Sequence, residues 1–404
     1  MAQYGYTQHF HSLMEIAGLL SNEQFNTFME DVVFPYRTQE GRGRNTDGFV
    51  QQPLKPAYKM TFGTLQTENN IGVMANHVAL EAHAKPNPTR GFSALEGTIP
   101  HIATNDTMGQ EDYLRVAETL KDAQEMGRSL STVAQTMLVS RFDGKLSEHD
   151  ARASYMRDYV VFHGQYDITK DNNDGSYTGI TLDFKVPAEN KKSLSGDKRW
   201  WTDSDYKVEG TNATPIADID EILLGMMAKG IQKNNIEIEI GYYTLYRLAN
   251  HSKVRADIAL FLNPSLAGVS SQERINTTAG MSQDQLVAAL ERRLGVSFSV
   301  RNFITSIPVL NPKTGKFEWK DQTGFKEDTL VFRPKGNIGE IHSSGHLTVG
   351  GDAGSDGMYT MYDGGRILMT YTCKVREKVQ IWDTEETSLY VLTAGKNMRY
   401  LTVK

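Results

Sequence analysis

The chain has 404 residues, of which 39% are hydrophobic and 23% charged, and its formal net charge is −6. This length exceeds that of one small module and predicts roughly two or three folding units, while no apolar run approaches the ~20 residues of a membrane span. The mild acidity gives no general attraction to phosphate, which disfavours direct recognition of DNA or RNA.

Cysteine occurs once, at Cys373, so neither an intrachain disulfide nor a cysteine-based zinc site is expected. The first ten residues carry no basic patch ahead of an apolar core, which argues against a secretory signal. We therefore expect the chain to fold in a reducing cytoplasm.

The first fifty-six residues predict short helices followed by an arm. A helical stripe starts at Leu13, and Ser21 followed by Gln24 forms a capping box for a second helix. Residues 34–56 are rich in glycine, proline and arginine, which predicts an extended segment. A segment without a core of its own must lie on another surface.

Residues 57–106 predict two short strands, at 58–65 and 73–80, followed by a loop rich in proline. Pro86 and Pro88 exclude a central strand or a helix there, so the sequence predicts a long hairpin or loop with a stiff, exposed tip. A loop of this length in a compact domain is usually functional or disordered, and we favour function.

A long helix is predicted after Thr107, which resembles the start of a capping box with Gln110. Gly144 predicts a break or kink near residues 142–145, because glycine is a weak helix former. Ser147 would then cap a second helical segment that runs to about His163.

The next segment changes to the two-residue period of strands. Two β-prone runs within residues 166–184 flank an Asx-Gly turn, which predicts a hairpin. Residues 189–212 are polar and predict a surface excursion that Trp200 and Trp201 anchor.

From Pro215 onward helices and strands alternate. Pro215 opens a helix with acidic residues in its first turn, and the alternation in residues 236–240 predicts a half-buried strand. A helix over about 242–255 follows, and a second helix and strand occupy about 282–300. These elements predict an α+β or α/β protein.

The C-terminal part is predicted to be mostly β-structure. A hairpin has its turn at residues 311–315, and strands continue from Asp328 to the end of the chain. A glycine-rich loop at residues 345–357 interrupts them.

The sequence predicts no catalytic residue, no cofactor site and no metal site. Gly225 and Gly230 have the spacing of a phosphate-binding loop, but Ile231 stands where the lysine is required. Residues 352–363 resemble a calcium loop only in part, because they lack the bidentate glutamate. Arg42 and Arg44 could contact phosphate or an acidic partner, but a solvated arm is the expected state.

Seven stretches stand out by their order and spacing: 159–168 (YVVFHGQYDI), 182–184 (LDF), 200–203 (WWTD), 215–224 (PIADIDEILL), 237–240 (EIEI), 243–247 (YTLYR) and 328–332 (DTLVF). Together they resemble the lambda-type major capsid protein of tailed phages, family E, which has the Hong Kong 97 fold. No single motif is diagnostic, so the resemblance is cumulative from about Thr61 to the C-terminus.

The resemblance implies an α+β fold with five parts. They are an N-terminal arm (1–56), an extended E-loop hairpin (57–106), a peripheral domain with a long spine helix and a hairpin (107–214), an axial α/β domain (215–385) and C-terminal strands that return to the peripheral domain (386–404).

The resemblance also implies a function without catalysis. The chain would self-assemble into hexamers and pentamers that form the icosahedral head of a tailed bacteriophage around double-stranded DNA. Its partners would be other copies of itself, a portal protein, a scaffolding protein and, in some relatives, a decoration protein. It would assemble in the bacterial host cytoplasm and end in the virion capsid, with no membrane involved.

Five residues are the predicted contacts between subunits: Arg37 in the arm, and Lys85, Pro86, Pro88 and Arg90 at the loop tip. Proline lowers the entropy lost when a loop docks, so the two prolines would stiffen the tip. Two alternatives stay open at this point. One is the encapsulin-like shell of a cellular nanocompartment, and the other is a soluble hydrolase with an unrecognised site.

Overall fold

The structure is a computed structural model, and the described residues are 12–56, 59–67, 92–169, 172–173, 179–203, 205–310, 314, 317–345, 357–373 and 379–404. Within them the chain mixes helices with mainly antiparallel sheets, which confirms the α+β class. The helices are α1 (Ser12–Ala17), α2 (Asn22–Phe28), α3 (Phe34–Gln39), α4 (Gln110–Glu125), α5 (Leu130–His163), α6 (Pro215–Ala228), α7 (Tyr242–Asn250), α8 (Ser252–Leu262), α9 (Ser271–Thr277) and α10 (Gln283–Leu294).

Seventeen strands lie in the described residues. They are β1 (Phe49–Gln51), β2 (Thr61–Thr67), β3 (Phe92–Thr98), β4 (His101–Met108), β5 (Gln165–Ile168), β6 (Ile180–Asp183), β7 (Lys191–Ser193), β8 (Ile236–Gly241), β9 (Ser297–Arg301), β10 (Thr305–Leu310), β11 (Phe317–Gln322), β12 (Thr329–Pro334), β13 (Gly339–Ser344), β14 (Met358–Tyr362), β15 (Arg366–Cys373), β16 (Val379–Leu392) and β17 (Arg399–Thr402).

Two larger sheets organise these strands. The first has the order β1-β13-β16-β15-β14, and β4 also pairs with β16. The second has the order β7-β17-β12-β8-β9. Strands β2–β3, β5–β6 and β10–β11 form separate antiparallel hairpins.

The predicted domain limits stay a prediction, and each large sheet takes strands from more than one of the predicted parts. Strand β17 pairs with β7 of the predicted peripheral domain and with β12 of the predicted axial domain. Strands β13 to β15, within the predicted axial domain, lie in the first sheet with β4. Pairing between segments far apart in the chain cannot be derived from the period of one sequence.

Helix α5 is the long spine that connects the cores. Its C-terminal half packs against the first sheet, where Phe162 and Leu389 share one apolar cluster. Its N-terminal half packs against the arm helices, where Leu138 and Phe25 share another. A third cluster lies on the second sheet and contains Trp200.

The spine helix is unbroken at Gly144, where the sequence predicted a kink. Phe142 and Leu146, on either side, are fully buried, and their packing outweighs the weak helix propensity of glycine. The break lies instead at Gly127, whose φ is +70°, before Ser129 caps α5. The predicted capping box at Thr107 is also wrong, because Thr107 pairs with Ile381 inside β4.

The arm is packed and partly helical, which corrects the prediction of an extended segment over residues 34–56. Phe25, Met29 and Val33 are almost fully buried against the spine helix, and α3 continues this helical region. Further on, β1 adds a parallel strand to β13, with Phe49 opposite Gly339. Apolar side chains thus give residues 12–56 a core within their own chain.

Several local predictions are confirmed. Ser21 and Gln24 form both bonds of the capping box, the hairpin β5–β6 lies where the Asx-Gly turn predicted it, and Pro215 starts α6. Trp200 and Trp201 are buried and anchor the polar excursion. The helix predicted over 242–255 is divided at His251 into α7 and α8.

Candidate assembly elements and buried charge clusters

The β2–β3 hairpin is the described base of the predicted E-loop. Its register runs from Thr61 opposite Thr98 to Thr67 opposite Phe92. Phe62 and Leu95 are buried, and a Cβ built on Gly97 would lie only 3.0 Å from the Leu182 side chain of β6. The base of the hairpin is therefore fixed on its own chain.

The predicted contact residues of the loop tip are Lys85, Pro86, Pro88 and Arg90. All four lie outside the described residues, so their role stays a prediction. Arg37 lies within the described residues and is buried in its own chain. It is 5% exposed, and its guanidinium donates to the Asp143 carbonyl at 2.9 Å, to Asp143 Oδ1 at 2.6 Å and to Asp150.

Arg37 therefore holds the arm on the spine helix of its own chain, and its contact with a neighbouring subunit stays a prediction. The physical reason is desolvation, because a guanidinium removed from water must be paired with carboxylates and hydrogen-bond acceptors. Burial lowers the pKa of Arg37, although the charge of Asp150 opposes this shift.

Arg37 belongs to a group of paired charges that we call the arm cluster. Its members are Arg37, Arg42, Arg44, Asp143, Asp150, Asp363, Arg366 and Glu386. Four guanidinium groups thus meet four carboxylates, and the arm supplies three of the four cations. The expectation that Arg42 and Arg44 are solvated is wrong for Arg44, whose side chain is 1% exposed.

Glu386 lies at the centre of the arm cluster. It accepts from Arg44 Nη2 at 2.5 Å and from Arg366 Nε at 2.7 Å, and it contacts His149 Nδ1 at 3.3 Å. Burial opposes ionisation of this carboxyl, but the charges of Arg44 and Arg366 outweigh burial and hold its pKa well below the usual range.

A second group of buried charges, the sheet cluster, comprises Asp47, Arg157, Asp158, Glu239, Arg301 and Arg333. Arg157 donates to both oxygens of Glu239, at 2.5 and 2.6 Å, and Arg301 Nε donates to Glu239 at 2.9 Å. Burial opposes ionisation of Glu239, but Arg157, Arg301 and Arg333 outweigh it and hold its pKa well below the usual range.

Together the two clusters connect the arm to the spine helix and to both sheets. Residues 37–44 contact α5 and β16, while Asp47 contacts Arg157 of α5, Arg301 of β9 and Arg333 of β12. Sequence reasoning missed these clusters, because it assigned Glu239 to the exposed face of a half-buried strand. No local signal marks a charge that a partner 82 residues away neutralises.

Within the part of the chain that the structure describes, no helix is both long and apolar enough to cross a membrane. Among the same residues, no group of three or more His, Cys, Asp or Glu side chains is placed to hold a metal ion.

Comparison with known protein families decides the identity. The model of the family described as phage major capsid protein E matches residues 48–282, which is more than half of the chain. The chain belongs to the phage major capsid protein E family. Among proteins with curated descriptions, none matches this sequence.

Solved structures similar to this capsid protein are distant. The putative capsid protein of a prophage of E. coli CFT073 has 14% identity and a TM-score of 0.44, over 77% of this chain and 80% of that one. A phage-related protein of Bordetella bronchiseptica RB50 has 12% identity and a TM-score of 0.41, over 92% and 97%. The mature capsid of bacteriophage PhiM1 has 9% identity and a TM-score of 0.42, over 89% and 87%. Because the identities and TM-scores are this low, the identification rests on the family match alone.

Membership of the capsid protein E family confirms the resemblance that the sequence indicated, with its Hong Kong 97-like fold class. The protein is a subunit of the head shell of a tailed phage, and its place is the virion capsid. The family indicates a structural role, not an enzymatic one, and self-assembly of copies into a shell. The matched region covers the β2–β3 hairpin, the spine helix and the elements up to Ser282.

Proposed function

We propose that this chain forms the hexamers and pentamers of an icosahedral phage head that encloses double-stranded DNA, and that it acts without catalysis. The observation that carries the proposal is the family match over residues 48–282, which spans the hairpin base and the whole spine helix. We infer that assembly takes place in the bacterial host cytoplasm with a portal and a scaffolding protein, and with a decoration protein as a further candidate partner.

The distal part of the hairpin between β2 and β3 is the proposed contact with a neighbouring subunit. The base is fixed on its own chain by Phe62 and Leu95, so we assign the contact to the segment between Thr67 and Phe92, which lies outside the described residues. Many modest contacts of this kind, repeated by symmetry, produce a cooperative shell. The acidic net charge of −6 suits a protein that encloses DNA without binding its sequence.

The experiment that tests the contact replaces Pro86 and Pro88 with glycine and Arg90 with alanine. We expect fewer or less stable particles, because a more flexible tip loses more entropy on docking. The matched control replaces Pro312 with glycine and Lys313 with alanine, in the stretch of sequence between β10 and β11. Normal particle yield from the tip variant, or an equal loss from the control, would refute the proposed contact.

The alternative of a nanocompartment shell makes a different prediction about the contents. Purified particles of a phage head contain double-stranded DNA after packaging, whereas a nanocompartment contains an enzyme. Nuclease-protected DNA in particles from infected cells would support the phage head, and a protein cargo would contradict it.

A further inference from the structure

A groove crosses the middle of the spine helix and has a volume of about 650 Å³. Its floor is α5, one wall is the strand β4, and the other wall is the β10–β11 hairpin. Its lining includes Ile102 of β4, Ala151 and Arg152 of α5, and Pro308 and Trp319 of the hairpin. This volume is in the range of clefts that bind partners or ligands.

Trp319 gives the groove an apolar side that faces water. It is 74% exposed, and the register of the hairpin places it directly opposite Pro308. The other three tryptophans of the chain, Trp200, Trp201 and Trp382, are at most 2% exposed. An exposed indole beside a groove marks a surface suited to an apolar side chain of a partner.

The groove also contains an arginine that has no carboxylate partner within the described residues. Lys145 Nζ lies 2.8 Å from Glu148 Oε1, so the charges of that pair cancel. Arg152 instead donates to neutral oxygens, to the Asn172 carbonyl at 2.9 Å and to Asn173 Oδ1 at 3.2 Å. The positive charge of Arg152 therefore favours a partner that brings a carboxylate.

The outer face of the β2–β3 hairpin has the complementary chemistry. Successive residues of a strand point to opposite faces, so Leu65 lies on the face opposite to the buried Phe62. Leu65 is 60% exposed, and its partner in the register is Ala94. Glu96 is exposed, lies on the same outer face and pairs with Gly63. Because Gly63 and Ala94 are small, the Leu65 side chain projects beyond them.

Glu96 supplies the negative charge of this outer face, and it forms no ion pair among the described residues. Lys185, which lies beside β3, donates to the Ala94 carbonyl at 3.0 Å and is not paired with Glu96. Leu65 and Glu96 are diagonal neighbours across the two strands, at a typical spacing of roughly 7–8 Å. The face thus presents an apolar side chain next to an unpaired carboxylate.

A second copy of the chain is the occupant that these surfaces fit. Leu65 and Trp319 are both exposed, so the hairpin does not fill the groove of its own chain. The family indicates that copies of this chain assemble with one another. The hairpin face and the groove are different surfaces, and a contact between different surfaces of identical copies is heterologous, which closes into a ring when the rotation permits.

We propose that the outer face of the β2–β3 hairpin of one copy docks in this groove of the next copy, with Leu65 against Trp319 and Glu96 beside Arg152. The inference rests on the proposed assembly into hexamers and pentamers, and it names the surface that receives the hairpin. Docking removes Leu65 and the indole from water and pairs two opposite charges. This contact adds to the one assigned to the distal part of the hairpin.

Reversal of the two charges tests the contact. Arg152→Glu or Glu96→Arg alone brings like charges together and should lower the particle yield by at least about five-fold. The double variant restores opposite charges and should return the yield to within about two-fold of the wild type. In the control pair, Glu111→Arg on exposed α4 replaces Glu96→Arg and should not rescue Arg152→Glu.

Circular dichroism and thermal unfolding establish that the charge variants fold. Rescue is specific, because a second charge reversal on another surface cannot repair a subunit that Arg152→Glu has unfolded. A folded double variant that assembles no better than Arg152→Glu would overturn the proposal.

A disulfide identifies the two surfaces independently. In a Cys373→Ser background, Leu65→Cys with Ala151→Cys should form bonds between chains in assembled particles, and a non-reducing gel should show a ladder beyond the dimer. The control pair combines Ala151→Cys with Leu224→Cys, whose wild-type exposure of 64% is similar to that of Leu65, and it should not form such bonds. Bonds within one chain, or equal yields from both pairs, would overturn the proposal.

Electron microscopy of the wild-type protein separates this inference from the proposed function. Wild-type shells, with no bond between chains in the Leu65→Cys and Ala151→Cys variant, would overturn the groove contact and leave the shell function intact. If the wild-type protein forms no shell, the shell function fails, and the inference that rests on it fails as well.

Discussion

Glu239 lies fully buried among three arginines, so its negative charge is needed to balance the positive charges of the sheet cluster. Taking several charges out of water is costly, and mutual pairing offsets that cost only when every member is present. Glu239 thus holds this part of the fold together, although the alternation of its strand predicted an exposed side chain.

Replacement of Glu239 by glutamine should destabilise the protein strongly. It leaves Arg157, Arg301 and Arg333 with fewer carboxylates, and breaking a buried pair in this way costs about 3–5 kcal/mol. Thermal unfolding of the purified protein checks this. The control Glu125→Gln removes an exposed partner of Lys121 at 3.9 Å and should cost less than about 1 kcal/mol. Similar losses in both variants would contradict the role of the sheet cluster.

His163, at the end of the spine helix, makes stability depend on pH. Burial lowers the pKa of His163 to about 4, and the charge of Lys326 adds to the shift. The unfolded chain, with a pKa near 6.5, therefore binds more protons than the folded chain between about pH 6.5 and 4. The contribution of neutral His163 is complete above this window and is lost as the pH falls through it.

The variant His163→Phe should flatten the fall of the melting temperature between pH 6.5 and 4, since phenylalanine keeps a ring that can stack on Tyr159 but binds no proton. The stacked rings of the wild type are 3.9 Å apart. The control is His101→Phe, at an exposed position of β4. An unchanged slope in His163→Phe, or the same flattening in the control, would show that another group carries the dependence.

At the scale of elements, the unbroken spine helix gives the clearest test. A Cβ built on Gly144 meets nothing within 4 Å. Gly164 has a φ of +70°, and a Cβ built on it would lie 2.6 Å from the Val186 side chain. Gly144→Ala should therefore stabilise the protein by about 0.5–1 kcal/mol through its higher helix propensity. Gly164→Ala should destabilise it, and thermal unfolding of both variants is the measurement. Destabilisation by Gly144→Ala would indicate that the helix must bend there.

The elements show which parts of this fold could be predicted from sequence. Signals that lie within a few residues were reliable, such as the capping box of Ser21 and Gln24, the proline at the start of α6 and the Asx-Gly turn of the β5–β6 hairpin. The continuity of α5 and the packing of the arm depend on residues more than a hundred positions apart. Periodicity contains no information about such partners, so those predictions failed.

For the candidate site, too, some features could be predicted from the sequence and others could not. The resemblance predicted the family and the location of a hairpin at residues 57–106, and the structure contains the base of that hairpin in β2 and β3. The pairing of Arg37 with Asp143 and Asp150 could not be predicted, because these residues are adjacent to it only in the folded chain, and its contact with a neighbouring subunit stays a prediction. The contact of residues 85–90 with a neighbouring subunit stays a prediction.

At the scale of the whole molecule, the arm and the hairpin contribute in different ways. Residues 12–56 bury their apolar side chains in their own chain and pair their charges through the arm cluster. The arm therefore builds the subunit, and we assign the contacts between subunits chiefly to the distal part of the β2–β3 hairpin. A shell made by such a chain depends on the same contact repeated around each symmetry axis.

Electron microscopy of the purified full-length protein, with size-exclusion chromatography of the same sample, tests self-assembly most directly. The account predicts large particles that are closed icosahedral shells built from hexamers and pentamers. A persistent monomer or dimer, with no large particle under any condition in which the chain is folded, would contradict it.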